Sequence, residues 1–318
     1  MAGVLVALGG NALARAGGSG SWEEARAQVR ATVPVLAEIA EQGHELVLTH
    51  GNGPQVGALL RQNELGEPEI PALPMDALGA ETQGQIGYLI QAELTPALRR
   101  LGVERSVLTV ISRTEVAPDD PAFKDPTKPV GRFYNDAEAE QLRAKFGWIL
   151  AYDEARGGWR RLVPSPHPVR WLEGRAVRQL LAAGLGTGWI PIVAGGGGIP
   201  VIPRAGGGYE GVDAVIDKDL SASLVARELG LETLAIVTDV PGAAVHFGTP
   251  RQRWLGKITR EEMRTYLSRG EFGAGSMGPK VEAGLDFLDG GGRRFVITDI
   301  PSLPKALRNE LGTRVERD

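Results

Sequence analysis

The sequence predicts an α/β protein built around a parallel β-sheet, and three observations support this. Short apolar segments alternate with longer helical ones, beginning at Val4–Leu8, Glu45–His50 and Ser106–Ile111. Glycine-rich turns follow the first two of these segments. The chain has 318 residues of which 42% are hydrophobic, enough for a substantial core. Strands that alternate with helices in this way form a parallel sheet with helices on both faces.

The first half contains two long predicted helices. Ser21–Glu24 has the serine and glutamate of a capping box, so one helix begins there and runs to Gly43, a typical C′ residue. Pro34 inside it predicts a kink or a break, because proline lacks an N–H and its ring clashes with the preceding turn. A second helix is predicted over Ala80–Leu101.

A segment of different character, about 116–168, interrupts this alternation. It is rich in proline and polar residues, with tryptophans between them. An unstructured loop of this length is uncommon within a domain. We therefore predict a small inserted subdomain of hairpins and loops, with one short helix near Ala137–Phe146.

Regular alternation resumes after the insert, so the chain is predicted to be one α/β domain, 1–318, carrying one insertion. The predicted helices are Glu173–Ala183, Lys218–Leu229, Pro279–Leu288 and Pro301–Leu311. The predicted strands are Trp189–Val193, Thr233–Val237 and Arg294–Thr298, with a hairpin that pairs Ile199–Ile202 with Tyr209–Gly211.

Composition narrows the functional classes. The formal net charge is −4, which gives no general attraction for nucleic acid. Cysteine is absent, so disulfides, thiolate metal sites and cysteine nucleophiles are excluded. The first ten residues, MAGVLVALGG, lack the basic region of a signal peptide, and no segment has the roughly 20 apolar residues of a membrane span. We expect a cytoplasmic protein with no membrane partner.

Three glycine-rich turns follow apolar strands: Gly9-Gly10-Asn11, Gly51-Asn52-Gly53 and Gly195–Gly198. Glycine allows a ligand to approach the backbone closely, and free N–H groups at a helix start bind anions. Three such turns at the carboxyl ends of strands favour a chain of phosphate groups. The alternative for each turn is a tight connection without a ligand. Neither the G-x-x-x-x-G-K-S/T nor the G-x-G-x-x-G nucleotide pattern fits.

Lysines stand out because only seven of the 35 basic residues are lysine. Lys218 lies between Asp217 and Asp219 at a helix start, where it can reach a phosphate; the alternative is a capping aspartate beside a solvated lysine. Lys280 follows Gly275-Ser276-Met277-Gly278-Pro279 in the first turn of a helix. A cation there is unfavourable unless an anion binds nearby.

The inserted segment contributes two further lysines, Lys124 and Lys128, between prolines; the alternative for them is a solvated loop.

Together these residues predict phosphoryl transfer, which needs positioning and cationic stabilisation rather than a protein nucleophile. The four histidines lack metal-site spacing, and there is no G-x-S-x-G motif. Hydrolase and metalloenzyme functions are therefore disfavoured.

Seven segments, in order, resemble the motifs of the carbamate kinase family. They are ALGGNAL, THGNGPQVG, DPAFKDPTKPVG, GWRRLVPSP, AGGGGIPV, GVDAVIDKDLSA and FGAGSMGPKVEA, beginning at residues 7, 49, 120, 158, 194, 211 and 272. The glycine-rich segments alone would indicate only the wider amino-acid kinase superfamily. FKDPTKPVG and THGNGPQVG are specific to carbamate kinases within it.

The resemblance implies a three-layer αβα sandwich with an open, mainly parallel eight-stranded sheet, a small protruding subdomain and a homodimer. It implies reversible phosphoryl transfer between Mg²⁺-ATP and carbamate, giving ADP and carbamoyl phosphate, in arginine catabolism or carbamoyl phosphate synthesis. The carbamate half would be about 1–190 and the nucleotide half about 191–318.

The resemblance also implies residue roles. Lys128 would reach the transferring group from the protruding subdomain, Lys218 would contact phosphates from the other side, Asp219 would orient the lysines, and Lys280 would bind the nucleotide's β/γ-phosphates. The remaining predicted contacts are Gly9, Gly10, Asn11, Gly51 and Asn52 for carbamoyl phosphate, Gly196 and Gly197 for the nucleotide phosphates, and Thr238, Asp239 and Met277 near the nucleoside.

Two alternatives remain at this point. The first is another kinase of the superfamily, acting on glutamate, acetylglutamate, aspartate or UMP. The second is a nucleotide-binding sensor without turnover, which the three lysines disfavour.

Overall fold

The computed structural model describes residues 3–10, 13, 20–67, 69–154, 156–183, 188–273 and 276–317. Asn11, one of the predicted substrate contacts, lies outside these ranges. The helices in the described ranges are Trp22–Glu41 (α1), Gly53–Gly66 (α2), Met75–Arg100 (α3), Asp136–Phe146 (α4), Gly174–Ala183 (α5), Lys218–Glu228 (α6), Arg260–Ser268 (α7), Met277–Asp289 (α8) and Leu303–Leu307 (α9). None of them is long and apolar enough to cross a bilayer.

The strands alternate with these helices along most of the chain. In order they are Gly3–Leu8 (β1), Glu45–His50 (β2), Ser106–Thr109 (β3), Arg113–Val116 (β4), Lys128–Tyr134 (β5), Ile149–Asp153 (β6), Gly158–Val163 (β7), Pro168–Trp171 (β8), Trp189–Ile192 (β9), Ile199–Pro203 (β10), Tyr209–Gly211 (β11), Thr233–Thr238 (β12), Ala244–Val245 (β13), Arg253–Trp254 (β14), Lys257–Ile258 (β15), Arg294–Asp299 (β16) and Thr313–Glu316 (β17).

The main sheet has eight strands in the order β15-β17-β16-β12-β1-β2-β9-β3. All neighbouring pairs are parallel except β16 and β17. The predicted α/β class and the eight-stranded, mainly parallel sheet are confirmed. The central position of β1 places the turn after it between the turns that follow β2 and β12.

Side chains that alternate along the strands form two separate cores, one on each face of this sheet. On one face, Leu5 and Ala7 pack with residues of α5, α6 and α8. On the other, Val4, Val6 and Leu8 pack with residues of α1, α3 and α9. Because successive side chains of a strand point to opposite faces, one buried strand supplies both cores and the molecule has three layers.

The smaller sheets stand apart from the main one. β11, β10, β4 and β8 form a four-stranded sheet, and β13 pairs with β14. The predicted hairpin is present, with Val201 opposite Gly211 in antiparallel register.

Within the predicted insert, β5, β7 and β6 form an antiparallel sheet beside α4. A capping box of Asn135 and Glu138 begins this helix, and Gly147 ends it in the left-handed conformation. The predicted hairpins and short helix therefore lie in this segment. The division of the chain into a domain and its insert remains a prediction.

Two expectations for helices require correction. The first helix begins at its Ser21 cap as predicted, but it continues through Pro34, so the predicted break is wrong and the alternative of a kink stays a prediction. Pro34 is on the exposed face, where water can bind the carbonyl group that proline leaves without a partner. The predicted helix Pro301–Leu311 is wrong beyond its first part, because α9 ends at Leu307 and β17 follows.

The sequence reading also missed α7. Its signal was present, because Thr259 and Glu262 form a capping box with both reciprocal hydrogen bonds.

Candidate active site

Two predicted glycine turns and the end of β12 meet at the carboxyl edge of the main sheet. A side-chain carbon at Gly9 would lie 2.7 Å from the Val237 carbonyl oxygen, so only glycine allows β1 and β12 to approach this closely. A side-chain carbon at Gly51 would lie 3.7 Å from the Gly10 backbone nitrogen and 3.5 Å from Cδ of Lys218. Gly9, Gly10 and Gly51 are therefore together, beside a predicted catalytic lysine.

The third turn, Gly195–Gly197, lies against the second. Gly196 has a φ of 68°, and a side-chain carbon there would lie 2.2 Å from the amide nitrogen of Asn52. Gly197 has a φ of 95° and packs in the same way against the Ile216 carbonyl oxygen, 2.5 Å from that virtual carbon. Both glycines are required here by a left-handed backbone and by lack of space.

Polar side chains that the sequence reading did not select hold these turns in place. Buried Gln83 donates to the carbonyl oxygens of Ser112 and Gly195, at 3.0 and 3.1 Å, and accepts from the Ser112 N–H at 2.7 Å. Asn52 donates to the Thr82 hydroxyl at 2.9 Å instead of capping its own helix. A glutamine and a threonine inside a long helix carry no sequence signal for this role.

Two of the three predicted lysines bind one carboxylate. Lys218 donates to one oxygen of Asp219, and the Lys280 ammonium nitrogen lies 3.0 Å from the other. The Asp219 side chain is 4% exposed, and the lysines are 14% and 13% exposed. Asp219 therefore joins the two lysines, and its orienting role remains a prediction.

The third lysine reaches the same helix start from β5. The Lys128 ammonium nitrogen lies 3.0 Å from Oδ2 of Asp217. The other oxygen of Asp217 accepts the Asp219 N–H at 2.9 Å, which caps α6. From the sequence, Asp217 is expected only to cap the helix or to lie beside Lys218. The sequence reading missed the pairing with Lys128, which is 89 residues away in the chain.

Burial and charge set the protonation states at this site. Burial lowers the pKa of Lys218, and Lys280 adds to this effect, while Asp219 opposes it. Burial would raise the pKa of Asp219, but the two lysines outweigh it and hold that pKa below its ordinary value. Asp219 is therefore an anion shared by two cations.

The other predicted residues have varied outcomes. Lys124 is exposed, so of the two lysines in its segment only Lys128 reaches the site. Thr238 ends β12 beside Gly9 and donates to Asp239 at 3.1 Å. Met277 is the first residue of α8, the helix that carries Lys280, and it packs on one face of the main core.

His50, the last residue of β2, is buried against these turns. Its Nδ1 donates to the Gly51 carbonyl oxygen at 3.0 Å, and a side-chain carbon at Gly195 would lie 2.3 Å from its ring. Burial lowers its pKa to about 4, with a smaller contribution from Lys218. The imidazole is therefore neutral at pH 7 and orients the peptide that begins the second turn.

Comparison with known proteins agrees with this geometry. The sequence model of the amino acid kinase family matches residues 3–299. The carbamate kinase of Pyrococcus furiosus is 47% identical over 314 residues, which cover 98% of each chain. The chain belongs to the carbamate kinase family.

Solved structures support the same assignment. A carbamate kinase from Giardia lamblia, bound to AMP-PNP, superimposes with a TM-score of 0.92 at 38% identity, covering 100% of this chain and 99% of that one. A protein from Aeropyrum pernix superimposes with a TM-score of 0.91 at 41% identity, covering 99% of each chain. The predicted ATP-using carbamate kinase, a phosphotransferase, is confirmed, and the two alternative functions are set aside.

The buried imidazole makes the stability of the fold depend on pH. The pKa of His50 is about 4 in the folded chain against 6.5 for an ordinary histidine, so the unfolded chain binds more protons between these values. The contribution of neutral His50 to the free energy of unfolding is complete above pH 6.5 and is lost as the pH falls towards 4. We expect His50→Gln to remove up to about 3 kcal/mol of this pH-dependent stability.

Urea denaturation between pH 4 and 7 measures this difference. His167→Gln, which replaces an exposed histidine, is the matched control and should follow the wild-type curve. Parallel curves for wild type and His50→Gln would show that His50 titrates normally in the folded chain.

Proposed function

We propose that this site transfers a phosphoryl group between ATP and carbamate with Lys128, Lys218 and Lys280 as its cationic groups. The observation that carries the proposal is the convergence of all three lysines on the start of α6 through Asp217 and Asp219. In the transfer, an oxygen of carbamate forms a bond to the γ-phosphorus of ATP while the bond to the β–γ bridging oxygen breaks. The reverse reaction transfers the same group from carbamoyl phosphate to ADP.

The small anion carbamate suits the glycine turns. Backbone N–H groups of Gly9 and Gly10 and the side-chain amides of Asn11 and Asn52 can bind a planar carboxylate without a large pocket. Gly51, whose own N–H donates to the Leu8 carbonyl oxygen at 3.0 Å, contributes by leaving space for the anion. The packing of Gly51 on Lys218 supports this location, because it places the acceptor next to a cation that also reaches the phosphates.

The chemistry needs charge stabilisation rather than a base. The attacking oxygen of carbamate already carries negative charge, so no proton has to be removed from it. The barrier that the protein must lower is repulsion between two anions, together with the charge that spreads over the moving group. Lysine suits this task because its ammonium group is a compact charge on a flexible stem, which can follow a phosphoryl group.

Each lysine is assigned a different part of the transfer. Lys128 is 39% exposed and acts on the transferring group from above the turns. Lys218 contacts the same group from the sheet side, and Lys280 binds the β- and γ-phosphates. Asp219 binds Lys218 and Lys280 through its two carboxylate oxygens and so orients both of them. Gly196 and Gly197 face the nucleotide phosphates, with Thr238, Asp239 and Met277 towards the nucleoside.

ATP and ADP enter the proposed reaction with Mg²⁺. The described residues contain no group of three or more histidine, aspartate or glutamate side chains that could hold a metal ion. Mg²⁺ that accompanies a nucleotide is bound mainly by phosphate oxygens and water, with one or two carboxylates. In this proposal the ion belongs to the nucleotide substrate. It neutralises the part of the phosphate charge that the three lysines leave uncompensated.

The chain is also proposed to form a homodimer through the β3 edge of the main sheet. β3 pairs with β9 alone among the described strands, which leaves its other side open. Tyr88 and Ile111 beside this edge are 64% and 45% exposed, and Trp22 stacks on Tyr88 with ring centroids 6.2 Å apart. An apolar patch next to an open strand edge is typical of a surface covered in an assembly.

The proposed role in metabolism follows from the substrates. Carbamoyl phosphate is a reactive acyl phosphate, so the enzyme either makes ATP from it during arginine catabolism or makes it at the expense of ATP. We propose a cytoplasmic location, where ATP and ADP are available.

Lys128→Ala tests the assignment of the transferring group. We expect kcat for ATP synthesis from carbamoyl phosphate and ADP to fall about 100-fold or more, because a charge contact made in the transition state is lost. ATP affinity, measured by calorimetry, should change little. Lys124→Ala, an exposed lysine of the same segment, is the control. Equal losses of turnover and ATP affinity would contradict the role.

Lys280→Ala tests the nucleotide contact. We expect the Kd for ATP to rise about 10-fold or more, since a charge-assisted hydrogen bond to phosphate contributes roughly 1.5–3 kcal/mol. Lys305→Ala, at an exposed position near the end of another helix, is the control. An unchanged Kd by calorimetry would show that Lys280 does not bind the nucleotide.

Light scattering tests the dimer. The wild-type chain should have twice the mass of one chain in solution, and Ile111→Glu should shift it towards the monomer because a buried charge is unfavourable at an apolar interface. Tyr152→Glu, at a 50%-exposed position in β6, should stay dimeric. A wild-type monomer at micromolar concentration would refute this proposal.

A further inference from the structure

One helix, α2, connects the substrate turn with the strand that carries Lys128. Its first residue, Gly53, directly follows Gly51 and Asn52. Its last turns contact the predicted insert: the Tyr134 hydroxyl donates to the Glu64 carboxylate, and Lys145 pairs with Glu67 at 2.6 Å. The same helix therefore has the substrate turn at one end and contacts with the insert at the other.

The middle of α2 packs directly on β5. Val56 and Leu60 share one buried cluster with Val130. A side-chain carbon at Gly57 would lie 3.7 Å from Cα of Gly131, which has a φ of 73°. The two backbones are close because both positions are glycine, so the contact resists sliding or rotation.

This packed contact, the seam, consists of Val56, Gly57 and Leu60 of α2 with Val130 and Gly131 of β5. β5 connects the seam with Lys128. Lys128 is its first residue and Tyr134 its last. The position of the Lys128 ammonium group relative to the substrate turn is therefore set by how β5 lies on α2. Contacts of Lys128 alone do not determine this position, because its side chain is 39% exposed and, among the described residues, its ion pair is with Asp217 alone.

The polar end of the seam is enclosed and charged. Tyr134 is 2% exposed, and the Glu64 side chain is 14% exposed. Arg61 pairs with Glu64 at 3.0 Å, and the Arg132 guanidinium lies 4.3 Å from the centre of the Tyr134 ring. Burial, and then Glu64, raises the pKa of the Tyr134 hydroxyl, so it remains a donor throughout the physiological range.

We infer that Tyr134 and Glu64 are positioning residues, which hold Lys128 over the substrate turn by fastening the end of β5 to α2. This inference rests on the proposed role of Lys128. We expect the seam to affect the transfer of the phosphoryl group and not the binding of ATP. The reason is that no seam residue lies on α6 or α8, where Lys218 and Lys280 are found. If the Tyr134 end of β5 is no longer fastened to α2, the Lys128 ammonium group is placed less accurately. A misplacement of about 1 Å can lower the rate up to 100-fold.

Tyr134→Phe is the first test, because it removes the hydroxyl and keeps the buried ring. We expect kcat to fall about 10- to 100-fold, with the Kd for ATP unchanged. Tyr152→Phe removes a hydroxyl from the same small sheet at an exposed position and should leave kcat unchanged. Glu64→Gln keeps an oxygen that can accept from Tyr134, so it should retain more activity than Glu64→Ala.

A double-mutant cycle separates positioning from general destabilisation. If Tyr134 acts through Lys128, Tyr134→Phe should change kcat by no more than about twofold in the Lys128→Ala background. A full additional loss in that background, or a parallel rise in the Kd for ATP, would overturn the inference. The midpoint temperature of thermal unfolding, measured for each variant, identifies any loss of activity that comes from unfolding.

The same cycle distinguishes this inference from the proposed function. Full activity of Lys128→Ala would refute the role of Lys128 itself. A strong effect of Lys128→Ala with no effect of Tyr134→Phe would refute only the seam.

Discussion

The site depends on one buried carboxylate that holds two ammonium groups. Asp219 binds Lys218 and Lys280 through its two oxygens, and its side chain is almost completely buried. Two ammonium groups bound to the same carboxylate repel each other, and this repulsion is stronger in a buried site than in water. The carboxylate offsets much of this repulsion and opposes the effect of burial on the pKa of Lys218. It also holds both lysine side chains in place, so their positions are preorganised.

The backbone around this carboxylate is equally constrained. Glycines at positions 9, 196 and 197 allow the turns and strand ends to meet where side-chain carbons would collide, and Gly51 packs at van der Waals distance beside Lys218. Such close packing brings the three turns together at one edge of the main sheet. Buried Gln83 and neutral His50 supply the hydrogen bonds that a compact arrangement of turns requires. The close approach is thus a property of the turns together, and no single glycine motif accounts for it.

Lys128 differs from the other two lysines because it comes from a separate small sheet. Its link to α6 is one ion pair with Asp217, which is itself the cap of that helix. The rest of its position is determined by the packing of β5 on α2. The turn after β2 and Lys128 are therefore connected by a seam of apolar residues and glycines.

The sequence by itself determined the fold class, most of the elements and the three lysines. These features have local signals: apolar periodicity, the caps at Ser21 and Asn135, glycines after strands, and lysines retained in a chain that otherwise prefers arginine. Resemblance to a family then supplied the reaction, because short motifs in a fixed order are more specific than any one pattern. The local signals failed at the chain end, where turns with positive φ at Asn309 and Gly312 replace the last part of an expected helix and lead into β17.

Only the tertiary structure decided which groups meet. Several contacts join residues that are distant in sequence or that could equally have been solvated. They are the pairing of Lys128 with Asp217, the sharing of Asp219 by two lysines, the bridging by Gln83 and the contact of Tyr134 with Glu64. Their positions follow from strand order and from packing between layers. A local pattern cannot encode them, because hydrogen bonds and ion pairs depend on distances that exist only once the sheet has formed.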